Sequence, residues 1–466
     1  MTIERLTSHR VRRTTSVLLA ASIGLTAAAC GSTSSNGGGN KPAAGGGKVT
    51  ISIDCAPPTS KPIPRQQWFD DIASFEKANP NVTVKSIDTF PCETPALFTA
   101  ALQGKTEPNV FYTYFTDRQQ VLNSGQAADI TSYVTPATVP VLSDFQPSVL
   151  DSQKQDGKLY GIPRSNYTMG MIINRKLFQQ AGLNPDNPPT TWADVEKDAQ
   201  AISKLGNGIN GYGDYSAGNN GGWHFTAEMY ALGGTMVSAD GKKAAFNNDQ
   251  GKAILTNLHK LRFADNAMGS TQLFKWGDLQ KQMAAGKLGM YIAAPDDITY
   301  MVQTLGAKYE DYGMGPIPGD GGPAKGTLAG GDDYMFNVKD TPDQIKAGVA
   351  LVNYLYLVMG SGVTFDYARA KASGQAVGIP EPEMFQGATL AKDNALKAAS
   401  ATMPVTSFSP FISASVPGVT EPANAQAIYK VLDTAMASAL TDPNADPAKL
   451  LATAETQVNQ VLANAQ

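Results

Sequence analysis

The sequence predicts an α/β protein built as two lobes, and three observations carry that expectation. Val49 to Asp54 alternates apolar and polar residues, Gln66 to Lys77 places Phe69, Ile72, Ala73 and Phe75 at helical spacing, and Val82 to Ile87 returns to strand character. This β, α, β order is the unit of a parallel sheet covered by helices. Asp156 to Phe178 (DGKLYGIPRSNYTMGMIINRKLF) is an extended stretch near the middle of the chain, with Gly161 and Pro163 inside it. Such a stretch reads as a crossing between lobes. Finally, 466 residues suffice for two or three domains at about 100 to 200 residues each.

Composition narrows the function classes. Charged residues make up 17%, hydrophobic ones 42%, and the net charge is −4, so the basic footprint of a nucleic-acid-binding protein is missing. Residues 1–29 read as a signal peptide rather than as fold. Arg5, Arg10, Arg12 and Arg13 form a positive head, Val17 to Ala29 an apolar run too short to span a bilayer, and small residues lead to Cys30. The run LTAAAC resembles a bacterial lipobox, which implies that Cys30 is lipidated; residues 30–48, rich in Gly and Ser, form a flexible tether. Cys55 and Cys92 each follow a strand-like run. In an oxidising extracytoplasmic space they are expected to form a disulfide. A metal site is disfavoured, because His224 and His259 stand apart from other soft ligands in sequence.

Further along, Asn109 to Phe115 (NVFYTYF) reads as a buried strand, and ligands in open α/β sheets bind beyond the carboxyl ends of strands. Past the crossing, Thr191 is the expected N-cap of a helix beginning TWAD, and Trp192 an expected core residue. Thr226 to Leu232 and Asn247 to Phe263 read as helices. WGDLQKQMAAGKLGMYIAAP reads as a helix, a Gly286 stop and a strand. Long helical patterns finish the chain.

Chemistry is sparse. The chain has no GxSxG, P-loop, HExxH or CxxC, and Asp296-Asp297 and Asp332-Asp333 are placed at loop positions. A carboxylate pair keeps a secreted glycoside hydrolase as an alternative. No acid sits in an aromatic sequence context of the kind that raises a pKa, which points away from catalysis. Aromatic residues say more: Tyr112, Tyr114, Tyr167, Trp223, Phe225, Trp276 and Tyr334 are interleaved with Asp117, Arg164, Asn166, Asp296 and Asp332 at expected loops and strand ends. Aromatic faces beside planar polar groups match the apolar C–H faces and hydroxyl rims of sugars.

The run DGKLYGIPRSNYTMGMIINRKLFQQAGL with PPTTWADVEKDAQAI, then WGDLQKQMAAGKLGMYIAAP, GMGPIPGDGG, LAGGDDYMF and the terminal DPNADPAKLLATAETQVNQVL, resembles in content and order the family 1 extracellular solute-binding proteins related to maltose-binding protein. The resemblance implies a two-lobed periplasmic-binding-protein fold of type II, closing about a hinge on a sugar or short oligosaccharide. It further implies delivery to an ABC permease, no catalysis and no cofactor. It implies ligand contact at Tyr114 and Asp117; at Arg164, Asn166 and Tyr167; at Trp223 and Phe225; at Asp296; and, from a Gly-Gly turn in LAGGDDYMF, at Gly331 and Asp332. The aromatic pattern adds Trp276 and Tyr334. Expected boundaries are 49–160 with 297–340 for the amino-terminal lobe and 164–294 with 341–466 for the carboxy-terminal lobe. A lipid-anchored monomer on the outer face of the cytoplasmic membrane is the expectation set by Cys30. Alternative solutes are a polyol, a glycerophosphodiester or a peptide. The chain departs from the family pattern at Asp296, where many relatives carry an aromatic, and in the Ser/Pro-rich stretch Ser407 to Pro422.

Overall fold

The computed structural model describes residues 47–88, 95–380, 384–403 and 405–464. The expected signal peptide, Cys30, nearly all of the tether and Cys92 lie outside the described residues. Strands β1 (Val49–Ile53) and β2 (Val82–Ser86) pair in parallel, Val49 opposite Val82 through Ile53 opposite Ser86. The helix between them, Pro62–Ala78, starts four residues before the expected Gln66, because Pro62 and Pro64 fit a first turn whose N–H groups have no helical acceptor. Its inward ridge is Trp68, Ile72 and Phe75, while Phe69 is exposed.

Strand β3 (Val110–Tyr114) continues the parallel set beside β1. A short hairpin of β4 (Lys154–Gln155) and β5 (Lys158–Leu159) leads into β6 (Gly161–Thr168) and β7 (Gly170–Asn174). All five residues of β7 are buried, and Asn174 then caps the helix Arg175–Gln180 by accepting a hydrogen bond from the Leu177 amide at 3.1 Å. Thr191 caps the helix Trp192–Ser203 in the same way, and Trp192 is core, both as expected.

Strands β8 (Asn210–Tyr212), β9 (Leu288–Ala293) and β10 (Tyr312–Pro316) join β7 in a second sheet ordered β10-β7-β9-β8. The chain re-enters the first sheet as β11 (Thr327–Phe336), antiparallel to both β3 and β6, and a late strand β12 (Gly418–Thr420) runs parallel to the start of β11. Two strand pairs therefore pass between the sheets: β6 runs into β7, and β10 leads to β11. No described helix is long and apolar enough to cross a membrane.

Two segments pack otherwise than the expected boundaries assign them. β10 pairs with β7 along its whole length, and Ile298 and Met301 lie in a core with Tyr291 and Tyr312, so residues 297–316 belong with the second sheet. The helix Pro342–Tyr356 buries Ile345, Val349, Val352 and Leu355 against Ile51 and Ile53 of β1, and Phe365 and Phe385 join the same core. The reason is geometric. β11 returns the chain to the first sheet, so the segment after it covers that sheet before the terminal helices Ala425–Thr441 and Pro447–Asn464 cross back to the second core.

Candidate functional site

The site is organised by the crossing of β6 and β11. These strands pair from Ala329 opposite Thr168 to Met335 opposite Gly161, with a register shift between Asp332 and Asp333 that leaves Arg164 as an extra residue. From this bulge the Arg164 guanidinium grips Asp332 with two hydrogen bonds, Nε to Oδ1 at 2.5 Å and Nη2 to Oδ2 at 2.6 Å. The Tyr112 and Ser165 hydroxyls also donate to Asp332 Oδ2, each at 2.8 Å. The guanidinium lies over the Tyr112 ring, 4.9 Å from its centroid. Asp332 is thus a buried, saturated acceptor within the strand, not a loop group.

The Gly-Gly pair likewise lies inside β11 instead of forming the expected turn. A Cβ on Gly330 would sit 2.3 Å from the Tyr167 hydroxyl, and one on Gly331 would sit 2.4 Å from the Ser165 carbonyl oxygen. Close approach of Tyr167 and the β6 backbone explains both glycines.

β6 alternates in the ordinary way of a strand. Tyr167 faces Trp223, edge to face with ring centroids 6.2 Å apart, whereas Asn166 and Thr168 face the opposite side. On the Tyr167 side lie half-buried Tyr114 at the end of β3, Asp117 at the start of the helix Arg118–Ser124, exposed Asp296 at the head of the helix Asp296–Gln303, and Glu421 just beyond β12.

Their electrostatics tie these groups together. The Tyr167 hydroxyl is pushed well above its ordinary range by burial, then by the charges of Glu421 and Asp296. Burial raises Glu421 to about 8; the Tyr429 hydroxyl, donating at 2.8 Å, opposes that shift, and the charge of Asp117 adds to it. Asp117 itself is raised to about 6 by burial. Asp296 keeps contact with solvent, yet the surrounding protein raises it too, with help from the Asp332 charge. Among the described residues none of Asp117, Asp296 and Glu421 has an ion-pair partner.

Two expected contact residues are corrected. Phe225 is fully buried and packs edge to face on Phe246. Two positions after Trp223 on a helix is about 200° around the axis, so Trp223 and Phe225 cannot share a face. Tyr334 is fully buried mid-strand, stacked on Tyr356 with the two hydroxyls 2.9 Å apart. Trp276 is exposed and lies beside the head of the Asp296–Gln303 helix, its Nε1 donating to Asp297 Oδ1 at 3.0 Å and its ring tilted against Tyr300. The structure therefore gathers Tyr114, Asp117, Tyr167, Trp223 and Asp296 on the Tyr167 side of the crossing strands, the candidate groove, puts Arg164, Gly331 and Asp332 into its scaffold, and turns Asn166 away.

One expectation about acids also fails. Asp297 is almost fully buried and takes hydrogen bonds from Trp276, Gln280 and Tyr291; burial, then the neighbouring Asp296 charge, pushes it up to about 8. Three donors close it off from any substrate. Glu421 carried no signal beyond being a lone acid in the Ser/Pro-rich stretch, since only the fold brings it to Tyr167. Cys55 is buried at the end of β1 with a φ of 62°; its expected partner is not among the described residues.

A cavity of about 730 Å3 lies on the other face of the crossing strands, where Asn166 and Thr168 point, walled by Phe115, Phe365, Phe385 and Phe411. It does not include Tyr114, Asp117, Tyr167, Trp223 or Asp296.

The family model for bacterial extracellular solute-binding proteins matches residues 59–358. A Brucella abortus protein named only as a binding protein is 30% identical over 196 residues, 41% of this chain and 44% of that one. The chain spans less than half the length of the curated relatives it matches. Among solved structures, a Thermotoga lettingae ABC transporter solute-binding protein bound with α-D-tagatose superposes with a TM-score of 0.69 at 20% identity, covering 89% of this chain and 100% of that one. UgpB from Mycobacterium tuberculosis in complex with glycerophosphocholine gives a TM-score of 0.69 at 18% identity, over 90% and 99%. At these identities the superpositions establish a shared two-lobed fold.

Proposed function

The chain belongs to the bacterial extracellular solute-binding protein family, and from that premise we propose that it captures a sugar or short oligosaccharide between its lobes and delivers it to the permease of an ABC importer. In this reading the first lobe is the sheet of β1, β2, β3, β6 and β11 with the helices Pro62–Ala78 and Pro342–Tyr356. The second is the sheet of β7, β8, β9 and β10 with the terminal helices. Solute bridging the lobes stabilises the closed arrangement by the contacts it makes only there.

The observation that carries the reading is the groove itself. Tyr114, Tyr167 and Trp223 offer ring faces and edges to sugar C–H surfaces, while Asp117, Asp296 and Glu421 accept from hydroxyls. Arg164 is committed to Asp332, whereas Arg118 feels the charge of buried Asp333 but leaves its Nε and Nη2 without a hydrogen-bond partner among the described residues. With Arg164 neutralised and the acids Asp117, Asp296 and Glu421 carrying no ion pair among the described residues, the site favours neutral sugars and polyols over strongly anionic solutes. Export and retention through lipidated Cys30, and action as a monomer, complete the proposal.

The test is titration of the purified chain with α-D-tagatose, maltose, ribitol and glycerophosphocholine, following tryptophan fluorescence and melting temperature. Saturable, unmodified binding of a sugar is expected. Tighter binding of glycerophosphocholine than of every sugar would replace the sugar reading with the glycerophosphodiester one, and release of a shortened sugar would replace binding with hydrolysis.

A further inference from the structure

The cavity behind the crossing strands takes no part in the groove and has its own chemistry. Its walls come from both cores: Phe365 and Phe385 from the core under the first sheet, and Phe411 and Met169 from those under the second. At about 730 Å3 it lies within the roughly 300 to 1,000 Å3 range of small-molecule sites.

Three charged side chains reach the wall, and each already has a counter-charge. Arg164 is held by Asp332 at 2.6 Å, and Lys397 stands 3.6 Å from Asp393. Asp393 also accepts from the Tyr367 hydroxyl at 2.6 Å, and the Lys397 ammonium sits 5.7 Å from the Tyr367 ring centroid. An ion entering would lose its hydration without gaining a free opposite charge. What the walls offer is more apolar than polar surface, with aromatic rings beside polar side chains such as Asn166, Thr168, Thr364 and Asn394.

We propose that this cavity is a second binding site, separate from the groove, for a neutral and largely apolar small molecule with an aromatic or alicyclic body and one hydrogen-bonding group. The body packs against Phe115, Phe365, Phe385 and Phe411, and the polar group meets the Asn166 amide or the Thr168 hydroxyl. Selection against ions arises from the paired charges. Preference for such a molecule over sugars arises from the predominance of apolar and aromatic surface on the walls.

N-phenyl-1-naphthylamine, a neutral apolar fluorophore, is the probe. Titrated into the full chain, it is expected to show saturable fluorescence enhancement. Ala398→Trp and Ala401→Trp fill the cavity from the helix Gly387–Ser400 and the residue after it, and each should weaken the probe about tenfold or more while melting like the parent. Trp223→Ala, in the groove, should leave probe binding unchanged, and a sugar that saturates the groove should not displace it. The proposal is overturned if no saturable binding is seen, if both filled variants fold and bind the probe as the parent does, or if Trp223→Ala abolishes binding. Loss of sugar binding with probe binding intact would sink the reading of the groove and leave the cavity standing.

Discussion

Asp332 and Asp296 are neighbouring carboxylates on the two sides of the groove, close enough that the charge of Asp332 raises Asp296, yet they have opposite surroundings. Asp332 takes four hydrogen bonds, two of them from Arg164, and is almost fully buried; Asp296 is exposed and has no cationic partner among the described residues. The difference separates scaffold from binding capacity. A carboxylate whose acceptor sites are filled from within holds the strands in register, whereas one left open has acceptors to offer a solute.

The largest test of this contrast is Asp332→Ala. It strands a mostly buried guanidinium above the Tyr112 ring, and breaking such a pair from one side costs about 3 to 5 kcal/mol. Urea unfolding should show a loss of that size; Asp296→Ala should show less than about 0.5 kcal/mol, as expected of exposed positions. Equal losses at the two positions would erase the distinction.

Trp223→Ala comes next. Removing a half-buried ring from the groove should weaken solute binding by about 10- to 100-fold, roughly 1.4 to 2.8 kcal/mol, with a smaller loss of stability. A melting point that falls as steeply as the affinity would move Trp223 from the groove to the core.

The last test concerns pH. Glu421 binds its proton more tightly when folded, with a pKa raised from 4.5 to about 8, chiefly by burial. A raised carboxyl pKa penalises the folded state increasingly as pH climbs from 4.5 towards 8, and the penalty is complete above that. Glu421→Gln should therefore melt like the parent near pH 4 and above it near pH 8.5, once the contribution of Asp297 is recognised as common to both proteins. A constant difference at all pH values would show that Glu421 is already ionised at no cost in the fold.

Much of the fold was legible because it rests on local pattern. The first β, α, β unit is set by alternation and helical spacing, the Thr191 cap by side-chain chemistry, and the passage from β6 to β7 by a Gly and a Pro in an extended run. The site was legible in part. Tyr114, Asp117, Tyr167, Trp223 and Asp296 were marked by residue type and position. Phe225 and Tyr334 were misassigned because an aromatic at an assumed loop looks the same in sequence whether it points to a groove or a core.

The sequence by itself determined the elements and their order, the stretch that crosses between the sheets, and the wealth of aromatic and acidic side chains around it, since these depend on contacts within a few residues or on composition. Only the tertiary structure decided which sheet receives residues 297–316 and the helix Pro342–Tyr356, that Glu421 joins Tyr167, and that Arg164 neutralises Asp332 across 168 residues of chain. Strand register, helix face and the pairing of distant charges arise when separated segments pack. No local pattern encodes which of two chemically similar carboxylates will find its partner.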